Sequence, residues 1–164
     1  LAFLSDTANS HFFSADQLAA IATHIPWTRV VKDSKTTYEG KPIDLLPFLN
    51  VNKDKFVLKP NDDYGGRGVV LGWECSSDGW DAALKQALII PHVVQERVDI
   101  VQRDFPMWLN GEVDISPRYV DADPYVFGGK MVYGLMTRLS PLSLLNVTAG
   151  GGSIVPTILI EKRR

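Results

Sequence analysis

At 164 residues the chain is long enough for one domain with a sizeable core, or for two small lobes sharing a cleft. Its 45% hydrophobic and 22% charged content is ordinary for a globular protein, and its formal net charge of -2 argues against general nucleic-acid binding, which needs a basic surface. No apolar run approaches the roughly 20 residues of a membrane span, and Cys75, the one cysteine, excludes an internal disulfide and a cysteine-built zinc site.

Leu1-Ala2-Phe3-Leu4 has no basic lead-in and is too short for a secretory signal. The lack of disulfides fits a reducing, cytoplasmic setting. A first residue of Leu reads as a piece of a longer protein.

Ser14 to Thr23 is expected to be a helix. Ser14 and Gln17 form a capping box, and Leu18, Ile21, Ala22 and Ile25 recur at helical spacing until Pro26 stops the run. Thr28 to Val31 is a short strand, and the polar stretch Lys32 to Lys41 reads as a loop. Lys55 to Lys59 is a strand with Phe56 and Leu58 on one face and Lys55, Val57 and Lys59 on the other. Val69 to Trp73 is its antiparallel partner. Ser76 to Asp78 caps a helix with the stripe Trp80, Ala83, Leu84, Ala87 and Leu88, which Pro91 ends. His92 to Val98 is rich in β-branched residues and reads as a strand. Asn110-Gly111 marks one hairpin, and Gly128-Gly129 marks another leading into a long strand from Lys130 to Leu139. Residues 140 to 153 are turn-rich, and Ile154 to Ile160 is a last apolar strand. Antiparallel hairpins with two helices give an α+β class.

The chemistry-bearing segment is Lys59-Pro60-Asn61-Asp62-Asp63-Tyr64-Gly65-Gly66-Arg67-Gly68. Glycines let backbone N–H groups approach an anion, and the lysine adds a full positive charge. It is not a Walker loop, because the lysine precedes the glycines and a strand follows them. The spacing of Gly65, Gly66 and Gly68 does not fit a dinucleotide fingerprint, and the protein-kinase loop has its lysine afterwards. A hairpin turn beside a solvated lysine reads equally from this segment alone. Further on, Val93-Val94-Gln95-Glu96-Arg97-Val98 is an extended segment whose backbone can meet an adenine edge and whose Glu96 can accept from ribose hydroxyls. The same residues also read as an ordinary strand with surface charges.

In order, Lys59, the glycine loop, a helix and Gln95-Glu96-Arg97-Val98 resemble the nucleotide-binding half of the ATP-grasp superfamily. The likeness continues through Gly128-Gly129-Lys130 to Arg138 and then Asn146-Val147-Thr148-Ala149-Gly150-Gly151-Gly152. Upstream, His24-Ile25-Pro26-Trp27-Thr28-Arg29-Val30 resembles the segment leading into the small lobe. The wording is most similar to the circularly permuted proteins related to glutathionylspermidine synthase-like ligases.

The resemblance implies a small antiparallel-sheet lobe over about residues 26–91. A hinge and part of a second α+β lobe over 92–164 would follow, with an ATP cleft between the lobes. It implies an ATP- and Mg2+-dependent ligase that activates a carboxylate as an acyl phosphate and joins it to an amine, in small-molecule or peptide substrates. No nucleic acid or membrane is implied as a partner; the remainder of the full-length chain is. Lys59 would bind the α/β-phosphates, and Gly65, Gly66 and Gly68 would let the flap close over them. Gln95 and Val98 would face adenine, and Glu96 the ribose. Arg138 would stabilise charge on the transferring phosphoryl, with Asn146 and the Gly150–Gly152 loop lining the same end. An arginine at a strand end also reads as a surface charge.

Two departures stand out. The superfamily's second ATP-binding lysine has no counterpart near residue 29, where Arg29 is the nearest cation and would take its place at the nucleotide. The magnesium ligands are also not evident, since Ile154 to Ile160 replaces an acidic strand; Asp114, Asp121 and Asp123 read as turn or capping acids, and no metal residue is assigned. A non-catalytic scaffold or partner-binding domain with an idle pocket is the alternative function.

Overall fold

Ser5 ends the first helical turn, α1 (Ala2–Ser5), and its hydroxyl both donates to the Thr28 carbonyl and accepts from the Thr28 amide. These are the outward-facing backbone groups of an edge strand, so the contact closes that edge. The structure is a computed structural model and describes residues 1–144, 152–158 and 160. Two compact units divide the chain, Leu1–Val98 and Asp99–Arg164.

In the first unit, α2 (Ala15–His24) opens with the expected capping box: the Ser14 hydroxyl accepts from the Gln17 amide, and the Gln17 side chain accepts from the Ser14 amide. The edge strand β1 (Thr28–Val30) follows. The stretch Lys32 to Lys41 corrects the loop expectation. It holds β2 (Lys35–Tyr38), and the hairpin closes into β3 (Lys41–Asp44). Glu39 and Gly40 turn the hairpin at φ 48 and 74, the left-handed pair such a tight turn needs. Burial of Tyr38 and a bond from the Trp27 indole to the Thr37 carbonyl outweigh the polar composition of the strands. Then come α3 (Leu45–Val51), β4 (Phe56–Pro60), β5 (Val70–Leu71), α4 (Ser77–Ala87) and β6 (His92–Glu96). The Ser76 hydroxyl caps α4 by accepting from the Gly79 amide.

The sheet order is β1-β6-β4-β5, antiparallel throughout. Phe56, Leu58 and Val94 are each 0% exposed and pack with Leu45 and Leu49 of α3 and with Trp80, Leu84 and Ala87 of α4. Burying such side chains stabilises by about 1.5–3 kcal/mol each, so this one-sided core fixes which face of the sheet is left for other work.

In the second unit, β7 (Gln102–Leu109), β8 (Glu112–Phe127), β9 (Met131–Ser140) and β10 (Ser153–Val155) form one antiparallel sheet in the order β10-β9-β8-β7. Both expected hairpins are present: Asn110 and Gly111 turn at φ 51 and 90, Gly128 and Gly129 at φ 58 and 66. The last strand is shorter than the expected Ile154 to Ile160. It ends before Pro156, which has no N–H for a ladder bond. The chain is therefore α+β with antiparallel sheets. No helix among the described residues is long and apolar enough to cross a membrane.

Candidate functional site

Alternation along β4 and β6 divides the candidate residues between the two faces of the first sheet. Phe56, Leu58, Val94 and Glu96 take the core side, whereas Val57, Lys59, Val93 and Gln95 take the other, with Thr28 opposite Gln95.

On that second face three side chains form a directed chain. Lys59 Nζ donates to Gln95 Oε1 at 2.6 Å, Gln95 Nε2 donates to Thr28 Oγ1 at 3.1 Å, and Thr28 Oγ1 donates to the Pro26 carbonyl at 2.9 Å. Thr28 and Gln95 are 1% and 7% exposed. Burial holds the Lys59 ammonium below the usual lysine pKa. Among the described residues no carboxylate lies within ion-pair distance of Lys59. An ammonium has three donors, so this half-buried cation keeps two N–H groups and a full charge for an incoming anion.

The glycine loop leaves from the end of the Lys59 strand. Gly65, Gly66 and Gly68 have φ 65, 76 and 66, the left-handed region that glycine enters without steric cost. Arg67 N bonds the Tyr64 carbonyl and Val69 N the Gly66 carbonyl, both at 3.3 Å. The Gly66 and Gly68 amides have no acceptor among the described residues. A Cβ at Gly68 would come within 3.1 Å of Pro60 Cγ. Glycine there lets the loop fold back on the strand that carries the lysine, in a form whose amides can turn to an anion.

Arg29 is placed differently. It is 5% exposed, and its guanidinium donates to Thr36 Oγ1 at 2.7 Å, the Thr28 carbonyl at 2.8 Å, the Ser5 carbonyl at 3.1 Å and the Thr37 carbonyl at 3.3 Å. It also lies 4.7 Å from the Trp27 ring centroid. Burial lowers its pKa, and Asp6 partly offsets this. Its donors tie α1 and the β2–β3 hairpin to the edge strand.

Glu96 is on the core side, away from Lys59. Its Oε1 accepts from the Tyr38 hydroxyl at 2.6 Å, and Tyr38 is 7% exposed within a ring cluster of Trp27, Phe48 and Phe56. Burial first, and then the bond to Glu96, raise the Tyr38 pKa well above the usual phenol value. Glu96 and Val98 line a cavity of about 720 Å³ with Leu18, Ile21, Trp27 and Glu39, a size that suits a small organic ligand.

In the second unit Arg138 lies opposite Asp121 in the β8–β9 ladder. It pairs with Asp121 and, at 3.0 Å, with Asp123. Its Nε is buried with no acceptor among the described residues. Asn146, Gly150 and Gly151 lie outside the described residues; Gly152 directly precedes β10. Among the described residues no three His, Cys, Asp or Glu side chains gather into a metal site.

The structure thus joins Lys59 to Gln95, leads the glycine loop off the end of the same strand, lines one cavity with Glu96 and Val98, and commits Arg29 to internal partners. Sequence reasoning missed Thr28 and Tyr38. Thr28 carried a readable signal, a hydroxyl between Trp27 and Arg29 in a strand. Tyr38 had none, because its partner is 58 residues away.

No family model matches the chain. It is 27% identical over 128 residues to the protein named "Putative glutamate--cysteine ligase 2-3" of Frankia alni, covering 75% of this chain and 15% of the relative. It is 30% identical over 131 residues to "Putative glutamate--cysteine ligase 2-2" of Frankia casuarinae, covering 76% and 15%. The chain is a distant relative of these ligase-named proteins and spans about 15% of their length.

Proposed function

We propose that the chain is the ATP-binding portion of an ATP-dependent carboxylate–amine ligase, of ATP-grasp type and closest in character to the circularly permuted branch. The observation that carries this reading is Lys59: a half-buried ammonium bonded to one neutral amide, on the strand that leads into a loop of left-handed glycines. The ligase names of the distant relatives support the reaction class.

In such a reaction a carboxylate oxygen attacks the γ-phosphorus of ATP, the bond to the ADP oxygen breaks, and an acyl phosphate forms. The amine nitrogen then attacks the acyl carbon, loses its proton, and phosphate leaves. Within this reading Lys59 neutralises phosphate charge, and the Gly65–Gly68 loop covers the phosphates with backbone donors. Gln95 holds Lys59 in place. Arg138 would offset charge on the transferring group, which requires it to turn from Asp121 and Asp123. The register sets the Glu96 side chain on the face opposite Lys59, so the ribose is left to other groups.

Magnesium would offset phosphate charge when bound. The described residues supply no cluster of hard oxygen ligands for it, so no step is assigned to the metal.

Isothermal titration of this chain with ATP, with and without Mg2+, tests the proposal. Weak binding is expected, and Lys59→Ala should weaken it by about 1.5–3 kcal/mol, the worth of a charge-assisted contact. Unchanged affinity in Lys59→Ala would leave the idle-scaffold reading in its place.

A further inference from the structure

We infer that Thr28 is a positioning residue for Lys59, acting through the side-chain amide of Gln95; this rests on the reading of Lys59 as the phosphate-binding cation.

A glutamine amide has two unlike ends, a carbonyl oxygen that accepts and an NH2 that donates. Turned one way it holds a neighbouring ammonium; turned the other way it repels it. Nothing within Gln95 itself decides between them. Thr28 decides. Its hydroxyl proton is committed to the Pro26 carbonyl at 2.9 Å, so Oγ1 faces Gln95 as an acceptor. Gln95 Nε2 donates to that oxygen at 3.1 Å, and Oε1 is therefore left to take the Lys59 proton at 2.6 Å. Polarity runs in one direction along the whole chain, from the Lys59 ammonium to a backbone carbonyl.

The burial of the two middle members gives the chain its strength. Thr28 and Gln95 are 1% and 7% exposed, so water does not readily replace a lost partner. The backbone fixes the geometry as well. Thr28 lies directly opposite Gln95 in the β1–β6 pair, and Gln95 opposite Val57, two residues before Lys59 on the same face of β4. Three adjacent strands each contribute one member. Pro26, which stops α2 and has no donor of its own, supplies the terminal acceptor. Lys59 reaches an incoming anion in one preset direction with two N–H groups still available.

The test uses this chain labelled with 13C at lysine Cε, with the Lys59 resonance assigned by its loss in Lys59→Arg. Thr28→Val removes the acceptor at nearly constant shape. It should lower the Lys59 titration midpoint, because the charged form loses its oriented oxygen, and weaken ATP binding about 10-fold. Thr28→Ser should keep both near the parent values. Gln95→Met removes the amide and should lower the midpoint as well. It reads the same contact should valine at 28 disturb packing. A folded Thr28→Val chain with an unmoved Lys59 midpoint overturns the inference. So does a Thr28→Ser chain that behaves like the valine variant. Unchanged ATP binding in Lys59→Ala overturns the nucleotide reading instead, and the midpoint comparison still decides whether Thr28 orients the amide.

Discussion

A methyl group at residue 72 has no space to occupy. A Cβ on Gly72 would lie 2.0 Å from the Lys53 carbonyl oxygen and 2.8 Å from that of Phe56. Both are backbone atoms, and Lys53 is held in turn, its ammonium donating to the Gly72 carbonyl at 2.9 Å and the Cys75 carbonyl at 3.0 Å. Gly72→Ala is expected to destabilise the first unit by about 3 kcal/mol, at the upper end for overpacking. Urea unfolding measures this, and a loss under about 1 kcal/mol would mean that the backbone yields. Glycine does different work at Gly65, Gly66 and Gly68, each of which sits at positive φ. Lysine likewise has two uses here. Lys53 secures carbonyls of a turn, whereas Lys59 meets only an amide. Counting basic residues in the sequence does not separate the two.

The β2–β3 hairpin shows how one element serves several sites. It carries Tyr38 to Glu96, places Thr36 and the Thr37 carbonyl on the Arg29 guanidinium, and sets Glu39 on the rim of the cavity. Its turn depends on Gly40 at φ 74, where a Cβ would meet nothing within 4 Å. The cost of Gly40→Ala is then conformational only, about 1–2 kcal/mol for a left-handed residue. Gly40→Asn is expected to cost less, since asparagine tolerates that region. Equal losses for the two, by the same urea method, would point to packing rather than backbone strain. By contrast the capping box of α2, the Ser76 cap of α4 and the apolar stripes of both helices are local, and for that reason they were legible: each needs only residues within one or two turns.

For the molecule as a whole, the segment between Glu96 and Gln102 has no regular structure, and residues 97 to 101 are exposed. It joins the two compact units. Limited trypsin digestion is expected to cut first after Arg97, giving a fragment close to the first unit; early cleavage within β4 or α4 instead would show that the unit is not held by its core. The α+β class, the hairpins at Asn110-Gly111 and Gly128-Gly129 and the facing of Phe56 and Leu58 could be read from the chain alone. Turn chemistry and the two-residue period of a strand are short-range properties carried by neighbours. Lys59 and the glycine loop could be named for the same reason, since they adjoin in sequence. Which face Gln95 and Glu96 occupy was another matter. A one-residue step along β6 sends one side chain to Lys59 and the other to Tyr38, and only the pairing of β6 with β1 and β4 assigns them. The sequence by itself therefore determined the locally coded elements, such as α2, α4, β4 and the two glycine hairpins of the second unit, and the presence of a cation beside glycine-rich backbone, but not the β2–β3 hairpin. Tertiary structure decided that this cation has a neutral partner, that Thr28 orients that partner, and that Arg29 is occupied, because strand register and burial arise from contacts between residues far apart in the chain.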